Sequence, residues 1–149
     1  MSISLRIDFS QVRGIADAMA RLEAIDQAEL LEDLGAEGES QARRRLQEEK
    51  RSPDGTPWPA WSPAYAETRH GGQRLLQSEG DLVDSLQYAV SGLRVGIGSN
   101  LPYAARQNFG DEVIGSGIPA RTYLGFSADN LIDLKSVVDD FLQRQLGAL

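Results

Sequence analysis

Residues 52–69 read SPDGTPWPAWSPAYAETR, and this stretch restricts the possible folds more than any other. Four of the six prolines (Pro53, Pro57, Pro59 and Pro63) and both tryptophans (Trp58 and Trp61) fall within it. Each proline fixes φ and removes an amide donor, so neither a helix nor a central strand can run through residues 53–63. The segment must be irregular yet stiff, with a turn at Asp54-Gly55 and two large rings held in fixed presentation. Regular structure has to be assembled on either side of it.

Upstream, Ile3, Leu5, Ile7 and Phe9 alternate with Ser4, Arg6 and Asp8, the period of a short half-buried strand. Ser10 then caps an expected helix over QVRGIADAMARLEAI, with Val12, Ile15, Ala16, Met19 and Leu22 at helical spacing. Asp26 is a second cap, and Glu29 completes a capping-box pattern. A long helix is expected from Gln27 to about Arg51, with Leu30, Leu31, Leu34, Gly38, Ala42 and Leu46 on one stripe. Gly35 and Gly38 each weaken it by ~1 kcal/mol relative to alanine. They either kink the helix or permit a close approach to a neighbouring element, and Gly38 lies on the apolar stripe.

Downstream, Ser62 and Pro63 open a short helix that Gly71 and Gly72 close. A turn at Glu79-Gly80 leads to either a helical turn and a strand or a strand throughout. LQYAVSGLRVGIGS reads as a hairpin turning at Ser91-Gly92, with Leu86, Tyr88, Val90 and then Leu93, Val95, Ile97 alternating. LPYAARQNFG is a short helix ended by Gly110, DEVIGSG a flexible loop, and IPARTYLGF an extended segment. Ser127 caps a final helix, with Asp129 and Asn130 in its first turn. Its stripe is Leu131, Leu134, Val138, Phe141, Leu142 and Leu146. The element order indicates an α+β fold: a small, mostly antiparallel sheet with long N-terminal helices and a C-terminal helix packed on it. A length of 149 residues suits one domain, 1–149.

The chain offers little for catalysis. It has no cysteine, hence no disulfide, thiolate nucleophile or Cys-ligated zinc. Its single histidine, His70, precedes two glycines and is expected to be solvated. Ser62, His70 and Asp81 lack the setting of a nucleophile elbow. GIGSNL starts like a dinucleotide loop but has Leu101 where glycine is needed. Asp81/Asp84 suit a helix start and Asp139/Asp140 a solvated helix face, with no further ligand at metal spacing. Arg43, Arg44 and Arg45 are expected to form a solvated, ion-paired face or one side of a contact between subunits. No catalytic residue, cofactor or metal is therefore expected. The formal net charge of -7 argues against a dedicated nucleic-acid reader. No apolar run approaches the ~20 residues that span a bilayer. The N-terminus has no hydrophobic signal core, so folding in the cytoplasm is expected.

The aromatics are more informative. Trp58, Trp61, Tyr65, Tyr103, Phe109, Tyr123 and Phe126 sit outside the long helices. They either fill the core or line a protein contact, where tryptophan, tyrosine and arginine are enriched. Arg106 and Arg121 join them as candidate contact residues. A proline-stiffened loop loses little entropy on docking.

Four blocks carry a resemblance: SPDGTPWPAWSPAYAETR, LLQSEGDLVDSL, VGIGSNLPYAARQNFG and IPARTYLGFS. In order and spacing they resemble the phage virion morphogenesis proteins, or tail completion proteins, of Mu-like phages and prophages. The specific parts are residues 54–58 (DGTPW) and 118–121 (IPAR) with Leu124-Gly125. One departure is Gln107, where relatives commonly carry histidine, with Arg106 replacing an aliphatic residue. The resemblance implies a non-enzymatic virion component acting at the neck, where the filled head meets the tail. It implies a homo-oligomeric ring, expected to be hexameric, between connector or head-completion proteins and tail-tube or tail-terminator proteins. DNA would pass through the lumen without specific binding. A transient assembly factor absent from the finished virion is the alternative.

Overall fold

The computed structural model describes residues 3–8, 26–111 and 117–147. The expected first helix, Phe9 and most of the DEVIGSG loop lie outside those residues. The alternating N-terminal segment forms β1 (Ile3–Asp8), and the hairpin forms β2 (Gln87–Ser91) and β3 (Arg94–Ser99). They make one antiparallel sheet in the order β1-β3-β2, with β1 running in register from Ile3 opposite Ser99 to Asp8 opposite Arg94. The hairpin turn is Gly92-Leu93, one residue later than expected, because Ser91 still pairs with Arg94. Gly92 has φ +59°, which a leading glycine supplies without strain in a two-residue turn.

The long helix, α1 (Gln27–Arg44), starts where Asp26 Oδ1 accepts from the Glu29 amide at 3.2 Å. It continues as a π-helical turn, Arg45–Glu49, and stops at Lys50, which has φ +53°. Its apolar stripe divides between two neighbours. Leu31, Ala42 and Leu46 join Val95, Ile97, Leu86 and Trp58 in a core against the sheet. Leu30 and Leu34 meet Leu134, Val138 and Phe141 of the C-terminal helix, α5 (Ala128–Gly147). The fold is α+β as expected, and α5 lies against α1, which in turn covers the sheet.

Both glycines of α1 mark close approach rather than a kink. A Cβ on Gly35 would sit 2.3 Å from the Tyr88 ring, and one on Gly38 would sit 2.3 Å from Ile97 Cδ1. The helix backbone therefore rests on β2 and β3 at a distance only glycine permits. On α5, Ser127 Oγ accepts from the Asn130 amide and Asn130 Oδ1 accepts from the Ser127 amide, both at 3.1 Å. Asn130, Leu134, Val138 and Phe141 face inward. Leu131, expected on the inner stripe, is 56% exposed instead. It shares the side of buried Val138, about 20° away, but sits in the first turn of the helix.

Three short helices complete the described residues: α2 (Pro63–Ala66), α3 (Asp81–Asp84) and α4 (Ala104–Phe109). Ser62 caps α2 by accepting from the Tyr65 amide, and Gly110 ends α4 with φ +77°. The segment after Glu79-Gly80 is thus the helical turn followed by a strand. Among the described residues, no helix is long and apolar enough to cross a membrane.

Candidate functional site

The proline-rich segment is anchored from both ends. Asp54 Oδ1 accepts from the Thr56 amide at 2.9 Å, and the Ser52 amide donates to the Thr56 carbonyl at 2.8 Å, closing the expected turn. Trp58 is buried, and its indole Nε1–H donates to the Thr122 carbonyl at 3.0 Å. In the other direction, the Arg121 guanidinium donates to the carbonyls of Pro59 at 2.8 Å and Ala60 at 3.0 Å. Residues 58–60 and 121–122 therefore strap each other in place. Gly125, at φ +141°, lies under Pro53, where a Cβ would approach the proline ring to 2.7 Å.

The extended segment is held equally firmly on its inner side. Asn108 Oδ1 accepts from the amides of Tyr123 and Leu124 at 2.9 and 3.0 Å. The Tyr123 hydroxyl, fully buried, donates to the Ala104 carbonyl at 3.0 Å, and burial pushes its pKa well above the ordinary phenol value. Arg45 is 1% exposed and donates to the carbonyls of Tyr123 and Gly125 and to Asn130 Oδ1. Its Nε lies 3.6 Å from Glu49. Arg45 thus corrects the expectation of a solvated arginine face. Arg43 and Arg44 do pair at the surface, with Glu39 and with Glu49 and Asp133. Arg45 instead lies beside buried Leu46 and reaches through the core to the far segment. Its acceptors arrive from residues 123–130, which helical periodicity around residue 45 does not reveal.

The expected contact residues fall into two groups. Trp58, Arg121 and Tyr123 are inside the fold and act as its supports. Phe126 is partly buried where the two cores meet. Trp61, Tyr65 and Tyr103 come together in a surface groove of about 720 Å³ that also takes in Gln107, Leu76, Asp81 and Leu82. Phe109 is 70% exposed on α4, and Arg106 is exposed with Nε 3.8 Å from buried Asp111. The groove's rings are ordered: Trp61 and Tyr65 meet edge to face at 6.0 Å, and the Arg69 guanidinium stacks 4.4 Å above Tyr65. Partial burial and the neighbouring Asp81 raise the Tyr103 pKa above the ordinary phenol value.

Two cations build the groove from behind. Arg121 fixes the wall at residues 59–60. Lys50, overlooked by sequence reasoning, fixes the opposite loop by donating to the Leu75 carbonyl at 2.9 Å, to Gln77 Oε1 at 3.2 Å and to the Leu46 carbonyl. Leu76, within that loop, adopts φ +56°, a strained conformation that the Arg74–Gln77 hydrogen bonds close. Burial and nearby Arg74 lower the Lys50 pKa to about 8. The Gln107 main-chain carbonyl accepts from the Arg121 amide at 2.9 Å, a bond independent of the side chain at this position. His70 is exposed. Among the described residues, no group of three or more histidine, aspartate or glutamate side chains is placed to hold a metal ion.

Fold and site together define a small α+β scaffold whose buried arginines are bound to main-chain carbonyls and which holds an aromatic groove open to solvent. The family comparison then identifies the scaffold. The chain belongs to the phage virion morphogenesis family, whose model matches residues 7–143. No curated protein and no solved structure matches it significantly.

Proposed function

We propose that the chain is a structural protein of the phage neck, one subunit of a ring that completes the tail or joins it to the DNA-filled head. One observation carries this reading: the residues of the resembled blocks are used on each other, Trp58 with Thr122 and Arg121 with Pro59 and Ala60, and so hold Trp61, Tyr65 and Tyr103 at the surface. A rigid aromatic surface of this kind suits docking, because little freedom remains to be lost. Closing a ring requires heterologous contacts, one patch of each subunit meeting a different patch of the next. Each contact should bury on the order of 1,600 Å².

Six subunits are expected, with connector or head-completion proteins on one face and tail-tube or tail-terminator proteins on the other. The net charge of -7 would let DNA slide through the lumen without sticking. The reading involves no catalysed reaction; subunits would assemble in the host cytoplasm and remain in the virion. Cryo-electron microscopy of intact particles tests it, with density for this chain expected as a ring at the neck. Purified particles that lack the chain would overturn the reading and point to a transient assembly factor.

A further inference from the structure

We infer that the ring contact is made by the tip of the β2–β3 hairpin of one copy entering the aromatic groove of the next. This deepens the ring reading and rests on it. The tip and the groove lie at opposite ends of the same sheet. β3 runs from Arg94 beside the turn to Ser99, about 17 Å away at ~3.4 Å per residue. The groove gathers at the Ser99 end, where Ser85 Oγ and Ser99 Oγ lie 2.7 Å apart and residues 81–82 and 103 line it. An exposed turn at one end and a recess at the other can propagate head to tail.

The chemistry of the two ends matches. Residues 91–94 are all exposed, and Leu93, at 62%, is a large apolar side chain on a tight turn with no local reason to face water. Arg94 is the hairpin's single charge, set beside the turn and opposite Asp8 of β1 in the sheet register. The groove offers an apolar floor of Leu76, Leu82 and Tyr103, with Asp81 and Glu79 exposed beside it. Of the three arginines that line it, Arg69 is stacked on Tyr65 and Arg121 is bound to the Pro59 and Ala60 carbonyls, while Arg74 stands exposed near Lys50. Leu93 would seat among the rings while Arg94 meets Asp81. The volume of about 720 Å³ falls within the range of sites that enclose several side-chain-sized groups. Phe109 is the rival projection. It sits on the helix beside the groove, so its mutual insertion would close a pair instead of extending a ring.

Because the natural chain has no cysteine, introduced thiols report the contact cleanly. Full-length protein carrying Leu93→Cys and Gln107→Cys is treated at high concentration with a short bis-maleimide. The expected result is a covalent ladder of dimer, trimer and higher species. Leu93→Asp should weaken self-association of the otherwise unmodified chain about tenfold or more. Arg94→Asp should thin the ladder, and Asp81→Arg in the same chain should restore it. Products that stop at dimers would overturn the head-to-tail contact. No ladder, with oligomers of the unmodified protein still captured by an amine-reactive cross-linker, would overturn the hairpin contact and leave the ring standing. Protein that stays monomeric to millimolar concentration and forms no ring in particles would sink both.

Discussion

Trp58 and Arg121 each donate to the main-chain carbonyl of the residue that follows the other, Thr122 and Pro59 respectively. This reciprocity explains why the proline-rich segment and the extended segment behave as one unit despite some 60 residues between them in the chain. Each supplies the acceptor the other needs, and each hides a large side chain that could not be buried unpaired. The proline run is therefore both plug and platform: Trp58 seals the core, and Trp61, three residues on, stays half-exposed in the groove.

The two tryptophans should consequently separate in mutagenesis. Trp58→Ala removes a 5%-exposed ring and should cost about 3–5 kcal/mol in urea unfolding. Trp58→Phe keeps most of the packing but strands the Thr122 carbonyl, for about 1–3 kcal/mol. Trp61→Ala should stay within about 1 kcal/mol of the natural chain while weakening assembly. Equal losses at both positions would show that the segment is one packed plug with no outward role.

Arg121→Lys tests the strap from the other side. The guanidinium spans two consecutive carbonyls with Nε and one terminal nitrogen, a geometry an ammonium on a flexible stem cannot reproduce. One carbonyl should be left unpaired in a site where Arg121 is 6% exposed, costing about 1–3 kcal/mol. Stability equal to that of the natural chain would mean the fork is dispensable.

Much of this architecture is legible in the sequence, because local chemistry dictates it. Asp26, Ser62 and Ser127 announce their caps, the alternation at residues 87–97 announces the hairpin, and the proline run announces its own irregularity. The buried cations are not legible. Arg45 and Lys50 look like solvated helix residues until acceptors from residues 123–130 and 75–77 arrive. Those partners are fixed by tertiary packing, to which a 3.6-residue period is blind. A lysine adopting φ +53° at a helix end, or a leucine adopting φ +56° in a loop, leaves no compositional trace either. Leu131 failed for a related reason: it lies only about 20° around α5 from buried Val138, so its exposure is set by what surrounds the first turn of the helix and not by the period.

Gly38 offers a sharper test, since propensity and packing predict opposite signs. Alanine in a helix interior should gain ~1 kcal/mol over glycine. Here its Cβ would sit 2.3 Å from Ile97 Cδ1, in a core where Ile97 is 1% exposed. Gly38→Ala should therefore destabilise by about 1–3 kcal/mol. Ile97→Val removes the obstructing methyl and alone should cost about 0.5–1.5 kcal/mol. The double variant should be clearly more stable than the two losses summed, a coupling that thermal or urea unfolding of the four proteins will measure.

Lys50 predicts the pH dependence. Its pKa in the folded chain is about 8, against an ordinary value of 10.5, chiefly through burial and secondarily through Arg74. Between those values the unfolded chain binds more protons than the folded one, so stability should rise with pH through this window. The penalty for holding the ammonium is fully present below about pH 8. Because Lys50 remains half-solvated, the gain should be on the order of 1 kcal/mol and not the full Coulombic value. Tyr123, Tyr88 and Tyr103 act oppositely: their folded pKa values are raised, so their contribution is lost as pH climbs past the ordinary phenol value of 10. Unfolding free energy should accordingly climb from pH 8 and turn over near pH 10. Lys50→Met should abolish the rise while keeping the fall above the ordinary phenol value, because the tyrosines are untouched. A rise that persists in Lys50→Met would assign the effect to another group.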